Sequence, residues 1–151
     1  MMADLITRLA HLEDLEQVAN LFDQYRQFYS QVPDITLATK FIEERMQRQE
    51  SVIWVAEKNA EIFGFCQLYP TFCSVEAAPI MVLYDLFVSP KARNTGAGRA
   101  LMQSAQHYAK QNGFARCYLS TAKNNFTAQA LYESLGWERD EVYFSYSLSL
   151  I

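Results

Sequence analysis

The sequence predicts an α/β chain: a mixed, twisted sheet of about seven strands with helices on both faces. Three observations predict it. Apolar runs of strand character alternate along the chain with runs of helical period. Half of the 151 residues are hydrophobic, enough for one sizeable core, and no Pro/Ser/Gly-rich linker divides them. The chain closes on a strict alternation, with Phe144, Tyr146, Leu148 and Leu150 facing a core and Ser145, Ser147 and Ser149 outside it, the strongest strand pattern present. One domain spanning 1–151 is expected.

In order, Leu5 to Leu9 reads as a first strand. Glu13 to Tyr29 reads as an amphipathic helix, because Leu15, Val18, Phe22, Tyr25 and Tyr29 share one face. After Pro33 and Asp34 a second helix runs from Leu37 to Gln49, with Phe41, Ile42, Arg45 and Met46 making its contacts. Val52 to Glu57 is a strand, and Lys58-Asn59-Ala60-Glu61 is the hairpin turn after it. Ile62 to Tyr69 continues as strand, with Gly64 a candidate bulge and Pro70 a terminator. Ser74 to Pro79 is a loop and Ile80 to Val88 the next strand. Gly96 to Asn112 is a helix with Leu101, Ala105, Tyr108 and Ala109 on one face, stopped by Gly113. Arg116 to Thr121 is a strand, and Thr127 to Leu135 a helix ended by Gly136. The alternating tail closes the sheet.

Composition excludes several classes of function. The net charge is −4 and no run of lysines or arginines occurs, so the basic face that nucleic acid requires is absent. An acidic balance suits a cationic partner such as an amine. The opening Met1-Met2-Ala3-Asp4 has no basic segment, and no stretch approaches ~20 apolar residues, so neither a signal peptide nor a membrane span is expected. Cys66, Cys73 and Cys117 have no zinc spacing; they are expected as buried free thiols in a reduced cytoplasmic setting. No His/Cys/Asp cluster suggests a metal.

The chemistry is concentrated in two motifs. Arg93-Asn94-Thr95-Gly96-Ala97-Gly98 joins an apolar strand to a helix start. The first N–H groups of a helix lack partners within it and lie at the positive end of its dipole. Glycine lets a phosphate or pyrophosphate approach them closely. Downstream lies Asn125-Phe126-Thr127-Ala128-Gln129-Ala130-Leu131-Tyr132-Glu133-Ser134-Leu135-Gly136-Trp137. In this order and at this separation, the pair resembles the GNAT superfamily of acyl-CoA-dependent N-acyltransferases. The first resembles its pyrophosphate loop. The second resembles its Asn-x-x-Ala-x-x-Leu-Tyr-Glu segment, with Trp137 where phenylalanine is usual.

That resemblance implies a sheet that splays between its fourth and fifth strands, with the pantetheine of acetyl-CoA pairing with the backbone of Leu86, Phe87 and Val88. It implies that Arg93, Asn94, Thr95, Gly96, Ala97, Gly98 and Arg99 hold the pyrophosphate, Arg93 either gripping a phosphate or bracing the turn. Asn94 stands where many relatives have glycine, but asparagine tolerates a left-handed backbone. Lys91 and Arg99 are the nearby cations for the 3′-phosphate, or solvated surface charges. Asn125 and Ala128 belong to the cofactor-side motif; Asn125 either orients the pantetheine or caps its helix, and Asn124 offers the same chemistry one residue earlier.

An attacking amine must be neutral, and the leaving thiolate needs a proton. The resemblance puts Tyr132 beside the sulfur as that donor; the bland alternative is a core tyrosine on an amphipathic helix. Asp85, an acid inside the apolar run Leu83 to Val88, is costly to bury alone and so faces a wet cleft or meets a partner. In polyamine- and amine-acetylating relatives an acid near this position faces the acceptor, as a base or as an anchor; the alternative is a structural hydrogen bond to a neighbouring turn. Tyr25, Tyr29 and Tyr69 are candidate acceptor walls, since aromatic rings attract ammonium groups. The expected activity is acetyl transfer to a primary amine of small-molecule kind, by direct attack in a ternary complex. A protein lysine or N-terminus as acceptor, or a non-catalytic acyl-CoA sensor, are the alternatives. No metal is implied, and a homodimer is compatible with the apolar tail.

Overall fold

A computed structural model of the chain describes residues 4–151; the opening Met1-Met2-Ala3, from which the lack of a leader was read, lies outside them. Five strands form one sheet in chain order: β1 (Ile6–Leu9), β2 (Val52–Lys58), β3 (Glu61–Cys73), β4 (Ala78–Val88) and β5 (Cys117–Tyr118). Neighbours pair antiparallel except β4 with β5, which pair parallel. The helices are α1 (Leu15–Phe28), α2 (Ile35–Gln47), α3 (Ala97–Gln111) and α4 (Phe126–Ser134). The chain divides after Leu119 into two compact units. The first holds the sheet and three helices, and the second holds α4 and the tail.

The helices of the first unit cover both faces of its sheet. On one face Val18, Leu21 and Phe22 of α1 and Ala38 and Ile42 of α2 pack on Ile53, Val55, Phe65 and Phe87. On the other, α3 buries Leu101, Met102, Ala105 and Ala109. Gly64 permits that approach: a Cβ there would meet the Phe87 carbonyl oxygen at 3.1 Å and Leu101 Cδ1 at 3.3 Å. The residue left unpaired beside it is Phe63, because Ala56 pairs with Gly64 and Glu57 with Ile62.

Local chemistry sets the helix starts. Asp14 accepts the His11 N–H at 2.7 Å and pairs with Arg8 at 2.8 Å, while Arg8 also grips Glu57 at 3.0 Å. The Arg8 guanidinium holds the Asp14 carboxyl below the usual range. Asp34 caps α2 by accepting the Leu37 N–H at 3.0 Å, and its own N–H donates to Asp23 of α1 at 3.1 Å. The two helices are therefore tied at the end where α1 carries Tyr25 and Arg26.

Four expectations are corrected. The sheet has five strands rather than about seven. Pro70 does not end its strand, for β3 runs on to Cys73 with Pro70 opposite Met81. β2 stops pairing at Leu68, so beyond it one edge of β3 has no neighbour in the ladder, and a residue lacking an N–H is tolerated there. β5 is two residues long instead of reaching Thr121. The tail forms no strand: Phe144, Tyr146, Leu148 and Leu150 are all exposed. Alternation specifies which face of a strand is apolar, but a strand also needs a neighbour for its N–H and C=O groups, and the described part of the second unit offers none. Of the cysteines, Cys66 is fully buried and Cys73 and Cys117 only partly, because they sit at the sheet's thinly paired end; all three are free.

Candidate active site

β4 carries the site because of one irregularity. Asp85 pairs with Gln67 and Leu83 pairs with Leu68, which leaves Tyr84 as an extra residue with no opposite number. Such a bulge bends a strand and re-aims its side chains. Consecutive residues of a regular strand point to opposite faces; here Tyr84 and Asp85 both line one cavity. The Tyr84 carbonyl, released from the ladder, accepts the Tyr25 hydroxyl at 3.0 Å.

The cavity has a volume of about 530 Å³. Phe22, Tyr25 and Arg26 of α1, Leu37 and Phe41 of α2, and Tyr69 and Tyr84 of the sheet surround Asp85. Phe22 stacks on Phe41 with centroids 5.3 Å apart, and Tyr69 meets Tyr84 edge-on at 5.9 Å. Tyr29 is half exposed and packs edge-on against Tyr25 at 5.1 Å. Asp85, Tyr25 and Tyr69, three of the residues singled out from sequence, thus line one cavity, with Tyr29 adjacent to Tyr25.

Asp85 is 2% exposed. Its Oδ2 accepts from Gln67 Nε2 at 2.6 Å. Gln67 is completely buried, and its Oε1 accepts the Ser51 hydroxyl at 2.7 Å. The ionised carboxylate, an acceptor only, requires the NH2 end of the amide to face it, and the Ser51 hydroxyl satisfies the other end. Burial pushes the Asp85 carboxyl up to about 6, against the opposing pull of hydrogen bonds from Gln67 and Tyr25. The surroundings respond in kind: the Tyr25 and Tyr69 hydroxyls are pushed well above the ordinary phenol range, first by burial and then by the charge of Asp85. They are donors over the whole working pH range. Sequence reasoning missed Gln67, Tyr84, Phe22, Phe41 and Ser51 as site residues. A glutamine set in an apolar run, able to face the one acid of the next strand, was the available signal.

The strand end and turn lie nearby in chain. Among the described residues β4 and β5 pair at Met81–Cys117 and Val82–Tyr118, and from Leu83 to Val88 that edge of β4 has no strand beside it. This is the expected splay. Leu86 and Val88 are half-buried and Phe87 is buried in the core. A short 3₁₀ turn, Pro90–Ala92, follows, with Lys91 exposed. Asn94 (φ 63°) and Gly96 (φ 85°) both take the left-handed backbone. A Cβ on Gly96 would point into open space. Ala100 makes the first helical bond, to the Gly96 carbonyl, so the N–H groups of Ala97 and Gly98 have no acceptor within α3. Arg93 braces the turn by donating from Nε to the Val88 carbonyl at 3.4 Å. Thr95 donates to the Ala92 carbonyl, and Arg99 is exposed on the first helical turn. Open space, left-handed turns and free helical donors fit a pyrophosphate.

In the second unit Asn125 caps α4, its Oδ1 accepting the Ala128 N–H at 3.2 Å. Asn125 rather than Asn124 therefore takes the capping role. The far end closes on Gly136 (φ 90°): Gly136 N–H bonds the Glu133 carbonyl and Trp137 N–H the Tyr132 carbonyl, each at 3.1 Å. Trp137 thereby lies 6.2 Å, ring to ring, from Tyr132. The substitution of Trp137 for phenylalanine keeps the apolar contact that such a helix end requires.

A splayed sheet, a glycine turn feeding a helix start, and an acid in an aromatic cavity define an acyl-transfer scaffold. The model of the acetyltransferase (GNAT) family matches residues 15–137, and the chain belongs to that family. It is 46% identical over 143 residues to the uncharacterized N-acetyltransferase YhfO of Bacillus subtilis, covering 95% of this chain and 96% of that one. The crystal structure of a probable acetyltransferase superposes with a TM-score of 0.88 at 35% identity, covering 98% of each. An aminoglycoside N-acetyltransferase solved in complex with CoA shares the fold, with a TM-score of 0.82 at 19% identity over 97% and 95% of the two chains. The chain is thus an acetyltransferase of this family, and its relatives are named N-acetyltransferases. No described helix is long and apolar enough to cross a membrane.

Proposed function

We propose that the protein transfers an acetyl group from acetyl-CoA to a small primary amine by direct attack. The observation that carries this reading is Asp85, buried in a ring-lined cavity with its carboxyl poised at about 6. The thioester supplies an already activated acyl carbon, and the residues of this chain manage the protons. The aromatic cavity strips water from the incoming ammonium, which favours its neutral form. Asp85 anchors the nitrogen and accepts the proton it sheds as the C–N bond forms; a carboxyl near 6 is basic enough for this at neutral pH, where it is mostly ionised. Tyr132 gives a proton to the sulfur as the C–S bond parts.

On the donor side, Asn94 to Arg99 hold the pyrophosphate, the edge of β4 at Leu86, Phe87 and Val88 pairs with the pantetheine, and Asn125 and Ala128 frame the second motif. The CoA seen in the aminoglycoside N-acetyltransferase neighbour supports the choice of donor. A homodimer is part of the reading, supported by the exposed apolar tail around Tyr143, Phe144 and Tyr146. Thiol release from acetyl-CoA over a panel of amines tests the activity. Asp85→Asn is expected to abolish most of it while leaving acetyl-CoA binding intact; full turnover by that variant would remove Asp85 from the mechanism.

A further inference from the structure

The acceptor cavity holds one carboxylate among six apolar or aromatic side chains, Phe22, Tyr25, Leu37, Phe41, Tyr69 and Tyr84. From this juxtaposition we infer that the acceptor is a monocationic amine with an aromatic or otherwise apolar body, an arylalkylamine in chemical class, rather than a polyamine or an aminoglycoside. The inference rests on the acetyltransferase reading above and names the substrate of that same site.

Charge is the first argument. A second or third ammonium on the acceptor needs a second carboxylate or water, because an unpaired charge in an apolar wall is expensive. The other acids on this side are already engaged. Asp23 is buried and takes Arg26 at 2.8 Å, Gln27 at 3.3 Å and the Asp34 N–H at 3.1 Å. Glu44 and Glu50 pair with Arg45 at 3.4 and 3.3 Å. The remaining charged group in the cavity wall is Arg26, which is paired with Asp23 and offers a second ammonium no counter-charge.

Shape and polarity are the second argument. An aminoglycoside carries many hydroxyls that require partners when desolvated. The Tyr25 hydroxyl is shared between the Tyr84 carbonyl and Asp85, and Gln67 is committed to Ser51 and Asp85. By contrast, two ring pairs line the same cavity, the Phe22–Phe41 stack from the helices and the Tyr69–Tyr84 pair from the sheet. An aryl body packs on such rings by edge and face contacts. The ammonium can meet both Asp85 and the face of a tyrosine. The volume, about 530 Å³, lies in the range of small-molecule sites, ~300–1,000 Å³.

The test is steady-state thiol release from acetyl-CoA by the intact protein with phenethylamine, putrescine, spermidine, kanamycin and a lysine peptide. Calorimetric titration of each amine runs alongside. Phenethylamine is expected to exceed every polycation and the peptide at least tenfold in kcat/KM, and to bind with measurable affinity by itself. Tyr84→Ala, at a largely exposed position that folding tolerates, is expected to lower kcat/KM for phenethylamine about tenfold with the KM for acetyl-CoA unchanged. Faster turnover of a polycation, kanamycin or the peptide overturns the inference and leaves the acetyltransferase reading standing. Silence across the panel, with no amine bound, also overturns it; acetyl-CoA titration then shows whether the donor reading falls with it.

Discussion

Gln67 and Asp85 face each other across β3 and β4 as a ladder pair, and their side chains meet at 2.6 Å with the amide as donor. An ionised carboxylate can only accept, so the NH2 end of Gln67 must face it while the Ser51 hydroxyl donates to the amide oxygen. The acid is therefore held as an acceptor, one oxygen bound from behind, inside a cavity that would otherwise protonate it.

Gln67→Leu is expected to raise the proton affinity of Asp85 further, since its donor opposes the effect of burial. A hydrogen bond to a charged group is worth ~1.5–3 kcal/mol, or about one pH unit and more. The acid limb of kcat/KM, expected near pH 6, should move upward by about that much. Ser51→Ala should shift it the same way by less, because the amide can then rotate. An unmoved limb in both variants would show that the pair does not tune the acid.

Stability should depend on Asp85 in the opposite sense to activity. Its folded-state carboxyl titrates at about 6 against 3.8 ordinarily. Well below pH 3.8 it is protonated folded and unfolded, and contributes no difference. Between pH 4 and 6 the unfolded chain ionises first, so folding loses about 3 kcal/mol, and the loss persists above 6. Asp85→Asn should therefore stabilise the protein at pH 8 by up to that amount and far less at pH 4, read from urea midpoints at the two pH values. Equal midpoints at pH 8 would mean the carboxylate is fully compensated where it sits.

Tyr132→Phe keeps the ring against Trp137 and removes the phenol. If Tyr132 protonates the leaving sulfur, kcat should fall about 10²-fold, the usual scale for a positioned acid, with the KM for acetyl-CoA little changed. Thioesters with a more acidic leaving thiol should recover part of the loss. A variant with wild-type kcat would return Tyr132 to a purely structural place on α4.

Gly96→Val places a branched side chain at φ 85°. The strain is about 1–2 kcal/mol, and the added Cβ points into the open space in front of the turn. Affinity for CoA should drop about tenfold by calorimetry, while amine binding in the cavity is preserved. Unchanged CoA affinity would place the pyrophosphate elsewhere.

The helices and the turn were legible because each rests on local rules: an apolar stripe for α1, an Asp34 cap for α2, glycine at the turn and at the stop of α3 and α4. The extent of the sheet was less so. Pro70 signals a terminator locally, yet its cost vanishes where β2 has already ended, and that depends on a remote strand length. The tail shows the converse, a clear alternation with no ladder to join. At the site, Asp85 stood out as an acid in an apolar run, and Tyr25 and Tyr69 followed from family likeness. Gln67, Ser51 and Tyr84 did not, because their importance arises from pairing register and a bulge, which no single-strand pattern encodes.

That bulge has a wider reach. β4 leaves β5 just after Val82, and the extra residue comes at Tyr84. A flat β4 would be free to keep zipping along its neighbour and close the gap beyond. It could still hold Asp85 opposite Gln67, since deleting Tyr84 restores a regular ladder through that pair. One inserted position thus bends β4 beside the start of its free edge and supplies a ring to the cavity on one face. Removing that position would alter the course of the free edge and the wall of the cavity together.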